Sequence, residues 1–268
     1  MCLPNDSLAG VGGAVSGETC DLRGSVEDAA VGASVVAINT NQPHLVLTYD
    51  DGPEPGGTER VLAALDECGA TATFFVLLAR VRLFPGLVHD ILSAGHEVGL
   101  HGVSHQALTS LPASSVASDL RYARKELQDR VCSDVCWFRP PFGRQSAGTW
   151  EAIIGAGMVP VLWQLDCRDW LDLPMEAYLE QPASISRPGS ILLAHDGFAG
   201  GGVAPKLDRG DLTRGILDAV GRRNLVGRSI RDALAQPLTS LRGQQWLDLP
   251  RLANLTGDRS RQTIDQPT

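Results

Sequence analysis

The strongest constraint on what this chain can fold into is an alternation. Short apolar, β-prone runs at residues 44–49, 71–76, 97–100, 137–139, 159–165 and 190–195 keep giving way to stretches with helical spacing at 57–69, 85–95, 114–130, 147–157 and 212–222. A short strand at 225–226 and a short helix at 229–235 close the series. Alternation of this kind joins parallel strands through crossover helices. The residues able to do chemistry, Asp50, Asp51, His101, Arg139, Asp169 and His195, all fall where a strand ends. In a closed α/β barrel that is the rim on which sites are built. The pattern therefore predicts a parallel (β/α) barrel in preference to an open doubly wound sheet. No G-x-G-x-x-G follows any strand, which removes the dinucleotide-binding version of the open sheet.

A chain of 268 residues has room for one large domain. It is expected over 44–236, between a Gly-, Ala- and Ser-containing N-terminal extension at 1–43 and a polar C-terminal tail at 237–268. A net charge of −8 leaves no basic face to displace phosphate counterions, so nucleic acid is not an expected partner. Nor is a membrane, since no run approaches the roughly 20 apolar residues that span a bilayer. Nothing in the sequence speaks to oligomeric state. The N-terminus lacks a basic segment followed by an apolar one. A cytoplasmic location is therefore expected, with a leader missing from the sequence as given left open. In that compartment Cys2, Cys20, Cys68, Cys132, Cys136 and Cys167 would be reduced thiols. Cys132-x-x-x-Cys136 reads as a plain buried pair rather than a metal half-site, because no second pair stands at finger spacing.

His101 and His105, four residues apart, follow one strand, and the acidic turn Asp50-Asp51-Gly52-Pro53 follows another. Zn²⁺ is commonly held by two imidazoles and one carboxylate, with water in the open position. His101, His105 and Asp51 would supply that set, and the same ligands suit Co²⁺ or Ni²⁺. The adjacent Asp50 and Asp51 should point different ways, one toward metal and the other toward substrate as a base. Arg139 could pair with a carboxylate and hold it ionised. The run Pro140-Pro141-Phe142-Gly143 fixes a backbone that can offer an N–H to an oxyanion. Asp169 could orient a histidine, Trp170 could wall an apolar slot, and His195 suits a general acid. His89 and His96 lie within helix-like and strand-like pattern and read as structural.

Taken in order, Thr48-Tyr49-Asp50-Asp51-Gly52-Pro53, the segment from His101 to His105, Arg139 to Gly143, Asp166 to Trp170, and Leu193-Ala194-His195 resemble five motifs. They are those of the polysaccharide deacetylase family, also called the NodB-homology or carbohydrate esterase family 4 domain. The resemblance spans about 44–236. It implies a distorted parallel (β/α) barrel and metal-dependent hydrolysis of an N-acetyl, sometimes O-acetyl, group. By position it implies a divalent metal, Zn²⁺ ahead of Co²⁺ or Ni²⁺, on Asp51, His101 and His105. Asp50 would be the base, tethered by Arg139, and the Phe142 N–H would help bind the oxyanion. Asp169 would tune His195, the general acid, while Trp170 and Leu193 would line the acetyl slot. The implied substrate is an N-acetylated amino sugar, in an oligo- or polysaccharide or a soluble glycosylated metabolite. A hydrolase of a non-sugar amide and a non-catalytic carbohydrate-binding protein are the alternatives on the same scaffold. Three positions depart from the pattern: Gly102 replaces a usual Ser or Thr that could brace the metal loop, Cys167 a small hydroxyl residue, and Phe142 a common Tyr.

Overall fold

The computed structural model describes residues 33–235 and 239–245. Most of the expected N-terminal extension, with Cys2 and Cys20, and the tail from residue 246 onward lie outside the described residues. In chain order the elements are β1 (Ala33–Asn39), β2 (His44–Asp50), α1 (Gly57–Glu67), β3 (Thr73–Val76), α2 (Leu78–Leu83), α3 (Pro85–Ser93) and β4 (Glu97–Leu100). They continue with α4 (Ala113–Val131), β5 (Trp137–Phe138), α5 (Ala147–Gly155), β6 (Val159–Pro160), β7 (Leu165–Asp166) and α6 (Met175–Ser184). The last are β8 (Ile191–His195), α7 (Arg209–Gly221), β9 (Val226–Arg228), α8 (Ile230–Leu234) and β10 (Ser240–Gln245).

Eight strands form one curled parallel sheet in the order β6-β5-β4-β3-β2-β8-β7, with β9 paired to the start of β2. This is the expected barrel, distorted because β6 and β7 do not pair. The run at 159–165 was expected as one strand, but Pro160 has no N–H for a ladder, and the chain leaves the sheet once Val161 N–H has donated to Phe138 O at 2.8 Å. Leu162 N–H turns to the carbonyl of Val35 on β1 at 2.7 Å. β1, itself paired antiparallel with β10, thus covers the gap, bridging to Val161 on one side and Ser190 on the other. Neither β1 nor β10 was expected from the sequence, and Val35, Val36 and Ile38 of β1 are core residues.

Period-2 alternation decides which side chains reach the barrel interior. On β2, Leu45, Leu47 and Tyr49 face the helices, with Phe74 and Val76 of β3 and Leu192 and Ala194 of β8 beside them. Val46, Phe75, Ile191 and Leu193 face inward, where Ile230 and Ala233 of α8 and Val35 and Ile38 of β1 plug the bottom. The inward series on β2 runs Val46, Thr48, Asp50, and on β8 it runs Ile191, Leu193, His195. Each series therefore ends in a polar residue at the mouth, and Asp50 and His195 are register partners on neighbouring strands.

Phe75 is a central element of that interior: it is fully buried, the Arg139 guanidinium lies 4.2 Å from its ring, and a Cβ on Gly99 would clash with it at 2.8 Å. Phe75→Ala is expected to cost about 3–5 kcal/mol of stability in chemical denaturation. A cost below about 1 kcal/mol would mean that the interior is not packed around this ring.

Other differences from expectation have local causes. α2 is only six residues, too short to show a period. α6 occupies a stretch for which the sequence suggested no element, and its Pro182 stands in the final turn, where little helix remains to be broken. Gly56 stands at the N-cap of α1, and the nearby Thr58 hydroxyl donates to Asp196. Ser229 does cap α8, accepting from Asp232 N–H. Gly69 ends α1 with φ +60°, as its type predicts. Cys132 and Cys136 are disulfide-bonded, which corrects the reduced-thiol expectation for them, whereas Cys68 and Cys167 are free among the described residues. Among the described residues no helix is long and apolar enough to cross a membrane.

Candidate metal centre and its flanking residues

Asp50 closes β2, and Asp51 follows it in a left-handed conformation, φ 75°, that a non-glycine residue adopts only when its surroundings hold it there. One holding group is Asp196. Its carboxylate accepts from Gly52 N–H at 3.2 Å and from the Thr58 hydroxyl at 2.6 Å, and a Cβ on Gly52 would run into it. Burial, only partly offset by the Thr58 hydrogen bond, raises the Asp196 pKa to about 7. Asp196 is thus a brace for the acidic turn.

His101 leaves the end of β4, with its N–H bonded to Val76 O. His105 sits in the irregular loop beyond, so the pair is not carried on a helix. Gly102 turns that loop at φ +104°, a conformation that suits glycine and not the Ser or Thr usual there. Backbone ties the loop down: Leu78 and Ala79 N–H, at the start of α2, donate to Gly102 O and Val103 O at 3.0 and 2.9 Å.

Asp51, His101 and His105 converge, with one donor atom from each lying within 4.8 Å of the others. Asp51 Oδ1 stands 3.5 Å from His101 Nε2 and 3.5 Å from His105 Nε2. Those gaps exceed the 2.7–2.9 Å of a charge-assisted hydrogen bond. Two donors bound tetrahedrally to one Zn²⁺ stand roughly 3.3–3.4 Å apart. Asp51 Oδ1 is buried without a hydrogen-bond partner among the described residues, a costly state for a carboxylate oxygen unless a cation satisfies it. His101 Nδ1 faces the Arg139 carbonyl at 2.7 Å; since a carbonyl only accepts, Nδ1 carries the hydrogen and Nε2 offers its lone pair. Burial lowers the His101 pKa to about 3, keeping the ring neutral as a ligand must be. The donor set fits a divalent metal.

On one side stands the base candidate. Asp50 Oδ1 accepts from Arg139 at 2.8 Å, and Arg139 is fully buried, also donating to Thr48 Oγ1, Val161 O and Leu162 O. Burial raises the Asp50 pKa above the usual carboxylate value, and the Arg139 charge works against that rise. On the other side stands the acid candidate. Asp169 Oδ1 meets His195 Nδ1 at 2.7 Å, while its Oδ2 accepts His195 N–H at 2.9 Å and Arg209 at 2.8 Å. Burial opposes the imidazolium charge, but Asp169, helped by Asp51 and Asp50, outweighs it and raises the His195 pKa to about 9. Burial likewise opposes charge on Asp169, yet His195 and Arg209 keep its pKa below the usual value.

Arg209 went unnoticed in the sequence. It lies forty residues from its carboxylate, in a stretch with no motif, so one sequence carries no signal for it. The remaining candidates are placed less tightly. Phe142 adopts φ 60° after two prolines; its ring is 4.2 Å from that of His105 and 44% of the residue is exposed. Leu193 is buried one pleat below His195, and Trp170 is half-buried beside Asp169. His96 is a core residue against Phe74, its pKa lowered by burial to about 4, and His89 is on the surface, both as read.

A sequence model of the family described as polysaccharide deacetylase matches residues 37–161. The chain is 34% identical over 160 residues to a chitooligosaccharide deacetylase of Sinorhizobium fredii, covering 59% of this chain and 74% of that protein. It is 32% identical over 162 residues to a peptidoglycan-N-acetylglucosamine deacetylase of Bacillus cereus, covering 60% and 76%. Among solved structures it is similar to a family 4 carbohydrate esterase from Streptomyces lividans in complex with acetate: TM-score 0.62, 25% identity, 69% of this chain and 92% of that one. It also shares the fold of a CE4 family pseudoenzyme from Bacillus anthracis, with TM-score 0.67, 20% identity, and 76% and 69% covered. A fold that pseudoenzymes share does not by itself carry activity, so the side chains must.

Proposed function

This chain belongs to the polysaccharide deacetylase family of metal-dependent hydrolases, and on that premise we propose that it removes acetyl groups from N-acetylated amino sugars in an oligo- or polysaccharide. The observation that carries this reading is the buried Asp51 oxygen, 3.5 Å from two imidazole nitrogens and with no hydrogen-bond partner among the described residues. Asp51, His101 and His105 would hold the cation, Zn²⁺ ahead of Co²⁺ or Ni²⁺ for two imidazoles and a carboxylate. When bound, such a cation polarises a carbonyl and lowers the pKa of water.

The chain's own groups then divide the proton work. Asp50, its pKa raised by burial, takes a proton from the attacking water, and Arg139 fixes the carboxylate oxygen that does not. The Phe142 N–H, set in its left-handed turn, is the proposed donor to the developing oxyanion. His195, charged through neutral pH, delivers a proton to the departing amine. Asp169 orients the ring by accepting from Nδ1. Leu193 and Trp170 are the proposed walls for the acetyl methyl. The exposed Phe142 ring offers an apolar platform for a sugar face at the mouth. The disulfide-bonded Cys132 and Cys136 favour an oxidising compartment over the cytoplasm.

Zn²⁺-loaded protein is expected to release acetate from N-acetylglucosamine oligomers or peptidoglycan fragments, to stop when a chelator removes the metal, and to resume when Zn²⁺ is returned. Binding of these sugars without acetate release from any of them would support the non-catalytic reading instead.

A further inference from the structure

Asp51 has a second oxygen, and its environment is specific. While Oδ1 faces the two imidazoles, Oδ2 accepts from Ala199 N–H at 3.0 Å. Ala199 belongs to the segment after β8, and the preceding peptide units are gripped from both sides. Phe198 N–H donates to Glu54 Oε2 at 2.9 Å, and Phe198 C=O accepts from Arg80 at 2.7 Å. Arg80 and Glu54 pair with each other at 3.0 Å. Gly197 lets this grip form: a Cβ there would lie 2.6 Å from an Arg80 nitrogen and 3.1 Å from the Asp51 backbone. The loop after β2, helix α2 after β3 and the loop after β8 therefore meet behind one carboxylate.

We infer that Glu54 and Arg80 are positioning residues for the metal centre, acting through the Phe198–Ala199 backbone to fix the rotamer of Asp51. The inference rests on the reading of Asp51 as a ligand. Its physical basis is that a carboxylate anchored through one oxygen presents the other at a fixed place, so no ordering is left to be done when the cation arrives. Hydrogen-bond partners behind a ligand typically change metal affinity roughly 10- to 100-fold. The pair Arg82–Glu126 supplies an internal control, because it joins the same helix α2 to α4 through two hydrogen bonds and does not touch the segment at 197–199.

The test is Zn²⁺ affinity by competition with a chromophoric chelator on the full chain, with thermal unfolding of the metal-free protein measured alongside. Arg80→Met and Glu54→Ala are each expected to weaken Zn²⁺ binding roughly 10- to 100-fold, Arg80→Lys to fall between Arg80→Met and the wild type, and Arg82→Gln to bind as the wild type does. The double variant should be no weaker than the worse single one, since both residues serve one link. If Arg80→Met does not fold, Glu54→Ala decides alone. Folded variants that bind Zn²⁺ as tightly as the wild type overturn the inference, even if they melt earlier. Asp51→Asn separates the two levels: undiminished Zn²⁺ binding there removes the ligand reading and this inference together. If Asp51→Asn loses binding but the pair variants do not, only the inference fails.

Discussion

Asp50→Asn is expected to cut acetate release by roughly 10²–10⁴-fold, the usual contribution of a positioned general base, while the protein folds and binds Zn²⁺ much as before. An asparagine oxygen can still accept from Arg139, so the fully buried guanidinium keeps its partner and the barrel mouth its shape. What is lost is the ability to take a proton. The measurement is single-turnover acetate release, with metal content and unfolding midpoint on the same preparation. A variant retaining more than about a tenth of wild-type turnover would show that the water proton goes elsewhere. Arg139→Met should behave differently, because it leaves Asp50 buried without its cation. Removing one partner of a buried pair costs about 3–5 kcal/mol, so stability should fall together with activity.

The second large effect concerns His195. His195→Ala should lower turnover of an N-acetyl sugar nearly as far as Asp50→Asn, because an amine leaves poorly without a proton. An acetate ester of a nitrophenol has a leaving group that needs no such help, and its hydrolysis should be much less impaired. Equal losses on both substrates would remove the general-acid assignment. The pH dependence follows from the same groups. The base must be ionised, so activity rises with pH through the Asp50 pKa, which burial raises and which Arg139 and a cation on the neighbouring Asp51 lower. The acid must be protonated, so activity falls as pH rises through the His195 pKa of about 9. A cation on Asp51 neutralises that carboxylate's share of the pull, which puts the basic limb at or somewhat below 9. Asp169→Asn removes the main charge sustaining the imidazolium, and the basic limb of the pH profile is expected to move to lower pH.

The residue types of this site were legible because they are local. Asp50, His101, Arg139 and His195 each stand at the end of a short apolar run, and period-2 alternation along β2 and β8 already says that Asp50 and His195 share the inward face with Val46 and Ile191. Strand–helix alternation gave the parallel barrel for the same reason: hydrophobic period is a property of neighbouring residues. Short elements were not legible, since α2 at six residues and β6 and β7 at two each carry too few positions to show a period.

Tertiary structure alone decided how the pieces are held. Asp51 meets His101 and His105 across some fifty residues, and its other oxygen is anchored by Ala199 from 148 positions away. Arg209 steadies Asp169 from a helix with no motif, and β1 with β10 closes a barrel whose β6 and β7 do not pair. A single sequence records what each residue can do and how its neighbours are patterned. It does not record which distant backbone amide or guanidinium will stand behind a carboxylate, because that depends on loops that come together only once the sheet has curled.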